Sequence, residues 1–176
     1  MNEMDQKRIL IAVASKTGTT RKCAALLADR LPNGWAEVCN LERERPSPAD
    51  YDLVVVGGSV RMGRLHKAAR QYLNFNQMLL QAMPAAYFLC NCFVEQKEAI
   101  LQNNIPAALL STAICADSFG GVMELAAQRG IDRLIAGMAA KTLDAHAAGG
   151  ICLEAIDDFA AALIKTLTAP EQQKRR

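Results

Sequence analysis

Short runs of apolar residues alternate along the chain with longer segments in which apolar residues recur every three or four positions. Uninterrupted runs, often β-branched, are typical of buried strands. A segment in which apolar and polar residues alternate is typical of an edge or second strand. On this basis we predict five strands, at 9–13, 35–39, 53–56, 85–90 and 107–114.

The amphipathic segments between these runs predict the helices. The first covers 23–31 and is ended by Pro32 and Gly34. The alanines of 107–114 also favour a helix, which is the alternative to a strand for this segment. Further helices are predicted at 65–83, over a short part of 93–104, at 122–141 with a break near Gly130, and at the C-terminus. The apolar face of the last consists of Ile156, Phe159, Ala160, Leu163, Ile164 and Leu167.

Strands that alternate with helices predict a doubly wound, five-stranded parallel α/β sheet with helices on both faces, in three layers. Ligands of such sheets bind beyond the carboxyl ends of the strands. We expect a single domain over 1–176, with an inserted helical segment around 117–150. The connections at the carboxyl ends of the strands are 15–20, 57–63, 90–93 and 115–121.

The connection after the first strand has the composition of an anion site. The free N–H groups and the dipole at a helix start favour negative charge, and a glycine permits close approach. The order of residues is neither a Walker A loop nor a Gly-x-Gly-x-x-Gly loop, so a phosphate monoester is favoured over a dinucleotide. The alternative is that the hydroxyls only cap the helix. The residues concerned are Ser15, Lys16, Thr17, Gly18, Thr19 and Thr20.

Composition narrows the function classes. The chain has 176 residues, 51% of them hydrophobic, with a net charge of +2 and 5% aromatic residues. Because no basic stripe is interleaved with aromatics, we do not expect a nucleic-acid partner. The six cysteines include no Cys-x-x-Cys pair, so no metal site is expected. The polar start leads into no long apolar segment, so we expect no signal peptide, no membrane span and a cytoplasmic location.

Two segments carry a resemblance to a known family. Ser15, Thr17, Gly18 and Thr20 match the flavodoxin pattern Ser/Thr-x-Thr-Gly-x-Thr, which wraps the phosphate of FMN in that family. The segment 57–66 resembles the Gly-x-Ser-Ile/Val-Arg-x-Gly-x-x-His segment of the bacterial quinone-dependent protoporphyrinogen dehydrogenases, which are long-chain flavodoxin relatives. The resemblance implies a flavodoxin-like fold and FMN as the cofactor.

The resemblance also implies where the flavin would lie. Arg61 could face the flavin near N1, although a solvated arginine is the alternative. For Met62 the choice is between contact with the ring and local packing. His66 is expected to cap a helix, and Cys92 to be an inert thiol. Beyond the first connection, the cofactor-binding residues predicted are Gly58, Ser59, Val60, Arg61, Met62, Gly63, Asn91, Cys92, Phe93, Asp117 and Gly120.

Two features depart from these relatives. The region 115–150 has Phe119 as its one aromatic residue, whereas the dehydrogenases carry a basic, aromatic-rich insertion there. Carrier flavodoxins are strongly acidic, whereas this chain has a pI near 8.2. The sequence therefore predicts an FMN-dependent oxidoreductase with a small-molecule or protein redox partner, such as a quinone. The alternatives are an FMN electron carrier and a flavin-free phosphate-binding regulatory module.

Overall fold

The computed structural model describes residues 6–92, 94–121 and 150–170. These residues form a sheet of six strands, five of which run parallel in the order β2-β1-β3-β5-β6. The short β4 pairs antiparallel with the end of β3. The strands are β1 (Ile9–Ala14), β2 (Ala36–Asn40), β3 (Leu53–Arg61), β4 (Arg64–Leu65), β5 (Ala85–Cys90) and β6 (Ala116–Ser118).

The helices cover both faces of this sheet. One face carries α1 (Thr19–Ala28) and the last helix, here α6 (Leu153–Thr168). The opposite face carries α2 (Lys67–Phe75), α3 (Gln77–Ala82), α4 (Lys97–Asn104) and α5 (Ala107–Thr112). Two 3-10 turns, Pro48–Asp50 and Val94–Gln96, lie in the connections. The doubly wound, three-layer arrangement predicted from the sequence is confirmed.

Both faces of the central strands are buried, as their apolar runs predict. In β1 alternate residues serve the two layers, with Ile9, Ile11 and Val13 on the α1 face and Leu10 and Ala12 on the α2 face. On the α1 face the ring of Phe88 stacks on Phe119 at 4.4 Å between centroids. The ring of Phe159 meets both of them edge-on, at 6.2 and 5.1 Å. This aromatic cluster attaches α6 to the sheet.

The predicted connection 57–63 is largely strand. β3 continues through Gly57 and Gly58 to Arg61 and then turns back into β4. Glycine is uncommon within strands, which is why the sequence predicted a loop. Here other side chains occupy the space of a Cβ: a Cβ on Gly57 would lie 2.2 Å from the Phe88 ring, and one on Gly58 would lie 2.3 Å from Leu65 Cδ1.

The strand predicted at 107–114 is wrong, and the alternative helix is present. Pro106 stands at the N-cap of α5, and the alanines that follow favour a helix. The strand of this region is β6, which has only three residues and pairs with β5 at the end of the path. Its polar sequence, Ala-Asp-Ser, gives no apolar run to detect.

The helix predicted at 65–83 is divided into α2 and α3 by Asn76. This residue is buried, and its side-chain amide donates to the Tyr72 carbonyl at 3.0 Å. The predicted helical segment at 122–141 lies outside the described residues. Across the described ranges, no helix combines the length and the apolar character needed to cross a bilayer.

Candidate functional site

The connection from β1 to α1, residues 15–20, is organised by one serine. Ser15 Oγ accepts hydrogen bonds from the N–H groups of Gly18, at 2.9 Å, and Thr20, at 3.2 Å. Ser15 is buried directly after β1, so its two hydrogen bonds hold the loop close to the end of that strand. The N–H groups of Thr17 and Thr19 have no acceptor among the described residues. A tight turn with unused N–H donors therefore lies between β1 and α1.

Gly18 supplies the backbone conformation of this turn. It lies at φ 92° as the N-cap of α1, in the left-handed region that favours glycine. Gly18 has no side chain that could cap the helix, and the side-chain hydrogen bond to this N-terminus comes from Ser15 Oγ, which accepts from the Thr20 N–H. The hydroxyl oxygens of Thr17 and Thr19 lie 3.4 Å from one another instead. Helix capping therefore does not account for these threonines.

Thr20 carries the most informative atom of the turn. Its side chain is fully buried, and its hydroxyl has no hydrogen-bond partner within the part of the chain that the structure describes. The Cys90 thiol lies nearby without meeting hydrogen-bond geometry. Contact with the Cys23 thiol, followed by burial, raises the pKa of Cys90, so this neighbour is an uncharged thiol. A buried hydroxyl without a partner costs free energy unless a ligand pairs with it.

Two basic side chains flank the turn. Lys16 is exposed. Arg21 was not among the predicted site residues, yet its Nη2 lies 3.7 Å from the position that a Cβ would take on Gly18. The only sequence signal for it is a basic residue within the first turn of the helix.

The end of β3 lies beside this turn at the same edge of the sheet. Ala14 of β1 is opposite Gly58, and Ser59 is opposite Cys90 of β5. Ser59 shares the α1 face with Gly57, because alternate strand residues point the same way. Its hydroxyl is buried and, among the described residues, has no partner. Two such hydroxyls, those of Thr20 and Ser59, thus belong to one edge and one face.

Not every predicted residue of this second segment faces α1. Gly58 and Val60 pack on the α2 face, the former against Leu65. Met62 and Gly63 form the β3–β4 turn with φ of 50° and 75°, the positive values that a two-residue hairpin requires. Met62 is 73% exposed at the tip of this hairpin. Arg61, just before it, is half-buried.

His66 follows the hairpin as a structural residue, as predicted. Its Nδ1 accepts from the N–H of Ala68 at 3.2 Å and so caps α2. Its Nε2 lies 3.5 Å from Glu42 Oε1. Both ring nitrogens are therefore engaged within the fold.

The connections after β5 and β6 are joined to each other. Asn91 Oδ1 accepts from Ser118 Oγ at 2.5 Å, and both side chains are buried. A Cβ on Gly121 would lie 3.2 Å from the Asn91 backbone, so the two loops are in contact. Ser118 Oγ in turn accepts from the Gly120 N–H at 3.4 Å. Phe93, the third predicted residue of the first of these loops, lies outside the described residues.

The Asp117 carboxylate is occupied by hydrogen bonds within the fold. Its Oδ1 accepts from Lys97 Nζ at 3.0 Å and from the Ser118 N–H at 2.8 Å. The hydrogen bond with Asp117 raises the pKa of Lys97. Gly120, at φ 74°, leaves no room for a Cβ because the Gly150 carbonyl oxygen would lie 2.4 Å away. Both residues therefore shape the loop after β6, and Lys97 is a contributor that the sequence did not reveal.

Cys92, which follows β5, and Cys115, which directly precedes β6, carry poorly nucleophilic thiols. Burial raises the pKa of Cys92. Burial, followed by the Asp117 carboxylate, raises the pKa of Cys115 to about 12. The interpretation of Cys92 as an inert thiol is consistent with this environment. Among the described residues, no three His, Cys, Asp or Glu side chains are grouped as metal ligands would be.

Comparison with known proteins identifies the family of the chain. Residues 10–147 match the family described as the flavodoxin domain, which is more than half of the chain. The chain belongs to the flavodoxin domain family. The predicted family is thereby confirmed, and the turn at 15–20 lies within the matched range of this flavodoxin domain.

Curated relatives match about half of the chain. Over 94 residues the flavodoxin domain is 33% identical to the protoporphyrinogen IX dehydrogenase [quinone] of Escherichia coli strain K12. The same identity is found with the protein of that name from Escherichia coli O157:H7. Each alignment covers 52% of this chain and 52% of the relative. The chain therefore spans about half the length of the curated relatives that it matches.

Solved structures agree on the fold. Flavodoxin 1 from Bacillus cereus superposes with a TM-score of 0.55 and 13% identity, covering 90% of this chain and 97% of the other. A flavodiiron protein variant from Thermotoga maritima gives a TM-score of 0.55 and 14% identity, covering 92% of this chain and 36% of the other. At such identities the likeness shows the flavodoxin-like fold alone.

Proposed function

We propose that the chain binds FMN non-covalently at the carboxyl edge of its sheet and acts as an FMN-dependent oxidoreductase. The observation that carries this proposal is the buried Thr20 hydroxyl, which has no partner within the described residues, at the head of α1. A phosphate monoester would give it an acceptor. The neighbouring N–H groups of Thr17 and Thr19 would bind the same group.

The phosphate end of the proposed site is the turn 15–20. Ser15 Oγ stabilises the turn by accepting two backbone hydrogen bonds, and Gly18 adopts the left-handed conformation that the turn requires. The hydroxyls of Thr17 and Thr19, 3.4 Å apart, would provide further donors. Charge-assisted hydrogen bonds of this type are about twice as strong as neutral ones. The phosphate would therefore contribute much of the binding free energy.

The ring end of the proposed site is formed by the end of β3 and its hairpin. The buried Ser59 hydroxyl lacks a partner within the described ranges and would bind the polar part of the flavin. Half-buried Arg61 would place positive charge near it, and Met62 offers an exposed apolar side chain. Asn91 and Cys92 would border the other side, with Asp117 and Gly120 shaping the next loop.

FMN supplies hydride or electron transfer when it is bound, and the protein supplies binding, orientation and electrostatic tuning. Around the ring, the chain's own contribution is a set of neutral donors and the Arg61 guanidinium. Positive charge near the flavin favours its reduced, anionic form, so Arg61 would raise the reduction potential.

The proposed reaction is dehydrogenation of a porphyrinogen with a quinone as electron acceptor. Its support is the 33% identity, over about half of each chain, to the Escherichia coli protoporphyrinogen IX dehydrogenase [quinone]. The matching Gly-x-Ser-Val-Arg-x-Gly-x-x-His segment places Ser59, Arg61 and His66 in the same spacing. We place the reaction in the cytoplasm, because six unpaired thiols suit a reducing compartment.

An anaerobic redox assay tests this function. FMN-loaded protein is mixed with protoporphyrinogen IX, and the visible absorbance of the flavin is followed before and after a quinone is added. We expect the absorbance to fall with the porphyrinogen and to return with the quinone. Reduction only by an added reductase protein would contradict the enzyme and identify a carrier. Protein that takes up no FMN would contradict both and leave a flavin-free phosphate-binding module.

A further inference from the structure

We infer that Arg21 is a direct ligand of the phosphate group and the main source of preference for phosphorylated ligands at this site. The inference rests on the proposed function for the identity of the ligand as FMN. It concerns a residue that lies outside the Ser/Thr-x-Thr-Gly-x-Thr pattern and that the pattern does not require.

The first support is position. Arg21 lies in the first turn of α1, and its guanidinium turns back toward the loop, so that Nη2 lies 3.7 Å from the Cβ position of Gly18. Gly18 is the residue whose positive φ opens the turn. A guanidinium at this place lies beside Gly18, the residue between Thr17 and Thr19, whose N–H groups have no acceptor among the described residues.

The second support is the state of the guanidinium. Within the described residues, Arg21 has no hydrogen bond, ion pair or ring contact. By contrast, Arg30 is paired with Asp157, and Arg8 lies over the Tyr51 ring at 4.8 Å. Arg21 therefore has its donors available, and a planar guanidinium matches the geometry of phosphate oxygens.

The third support is the local charge. Lys16, Arg21 and Lys22 are the charged residues of 15–28, and the first acidic residue after the turn is Asp29. The first turn of α1 holds no acidic residue. A bound phosphate thus meets positive charge with no carboxylate of this segment to compete with it. The buried, unpartnered Thr20 hydroxyl independently marks the same turn as a ligand site.

Arg21 would therefore make binding of the phosphate group sensitive to salt. Salt weakens the attraction between an exposed guanidinium and an approaching phosphate, with a Debye length of about 10 Å at 0.1 M, whereas interactions of buried donors are screened far less. Riboflavin, which lacks the phosphate, would be indifferent to Arg21.

The test is a titration of the apoprotein with FMN and with riboflavin, followed by quenching of flavin fluorescence. We expect Arg21→Gln to weaken FMN about ten- to hundredfold, as loss of a charge-assisted hydrogen bond does, with riboflavin unchanged. Lys22→Gln, which removes the same charge from the neighbouring position, should weaken FMN by less than about threefold. Equal effects of the two variants on FMN, or an equal loss of both ligands in Arg21→Gln, would overturn the inference.

Inorganic phosphate separates this inference from the proposed function. In chloride buffers of matched ionic strength, phosphate should raise the Tm of the wild-type protein and not that of Arg21→Gln. If this holds while no flavin binds, Arg21 is a phosphate ligand and the FMN function is wrong. If phosphate raises the Tm of both proteins equally, or of neither, Arg21 is not the ligand, whatever the flavin result.

Discussion

At the scale of single residues, the serines and threonines of the carboxyl edge divide into two groups. Ser15 and Ser118 are paired inside the fold. Thr20 and Ser59 are buried at the same edge and, within the described residues, have no partner. An unsatisfied buried hydroxyl costs about 1–3 kcal/mol. The first group builds the turn and the loops, and the second group is the one that the proposed FMN would pair with.

Replacing Thr20 by valine separates stability from binding. Valine has a similar shape and no hydroxyl, so the apoprotein loses an unsatisfied group. We expect its free energy of unfolding in urea to stay the same or to rise by about 1 kcal/mol. FMN should bind about tenfold more weakly, and riboflavin equally well.

Ser15→Ala is the matched control for Thr20→Val. It removes the acceptor of two N–H groups, so it should lower the free energy of unfolding by about 1–2 kcal/mol. If Thr20→Val lowered stability as Ser15→Ala does, or left FMN affinity unchanged, the assignment of Thr20 to the ligand would be wrong.

The residues of the first turn could be proposed as an anion site from the sequence, because they are contiguous and most of them carry a hydroxyl group. The sequence could not show how Gly58 and Ser59, adjacent in the chain, divide between two faces. That depends on β3 continuing through Gly57 and Gly58, which in turn depends on Phe88 and Leu65 filling the space beside them. The position of the Arg21 guanidinium beside Gly18 could not be predicted for a similar reason, since the direction of an exposed side chain leaves no pattern in the sequence.

At the scale of elements, α6 shows which contacts hold the layers together. Phe159 packs edge-on against Phe88 and Phe119 and is 3% exposed. Two residues earlier, Asp157 pairs with Arg30 of the α1 segment at the protein surface. Buried aromatic area outweighs an exposed ion pair, whose contribution is about 0–1 kcal/mol.

Two substitutions in α6 test this ranking. Phe159→Ala should lower the free energy of unfolding by about 3–5 kcal/mol, because it leaves a cavity between two rings. Asp157→Asn should lower it by less than about 1 kcal/mol. Urea denaturation of the two variants measures both values, and similar losses would contradict the account of how α6 is attached.

The strands and helices could be predicted where the local hydrophobic pattern matches the faces that are buried in the fold. The buried runs of β1 and β5 and the amphipathic face of α6 required nothing beyond periodicity. The fifth parallel strand, β6, did not follow this rule. It is short and polar, and it is held by pairing with β5 and by the Asp117–Lys97 ion pair. Neither contact joins residues that are close in the sequence, so no local pattern marks β6 as a strand. The hydrophobic pattern instead predicts a strand in the apolar run that forms α5.

At the scale of the whole molecule, the sheet order brings four separate connections to one edge. The turn after β1, the hairpin after β3 and the loops after β5 and β6 follow neighbouring strands in register. Alternation of strands and helices predicts this meeting without any contact being known. The family match agrees with this arrangement, and the buried hydroxyls of Thr20 and Ser59, which have no partner among the described residues, lie at the same edge.

Whether the chain holds FMN by its phosphate is decided by comparing FMN with riboflavin on the wild-type apoprotein. The two ligands share the ring and the ribityl chain and differ only in the phosphate. We predict one FMN bound per chain, with riboflavin about a hundredfold weaker, because the donors of 15–20 and the Arg21 guanidinium act on the phosphate alone. Equal affinity for the two ligands, or no binding of FMN, would contradict the site described for the turn 15–20.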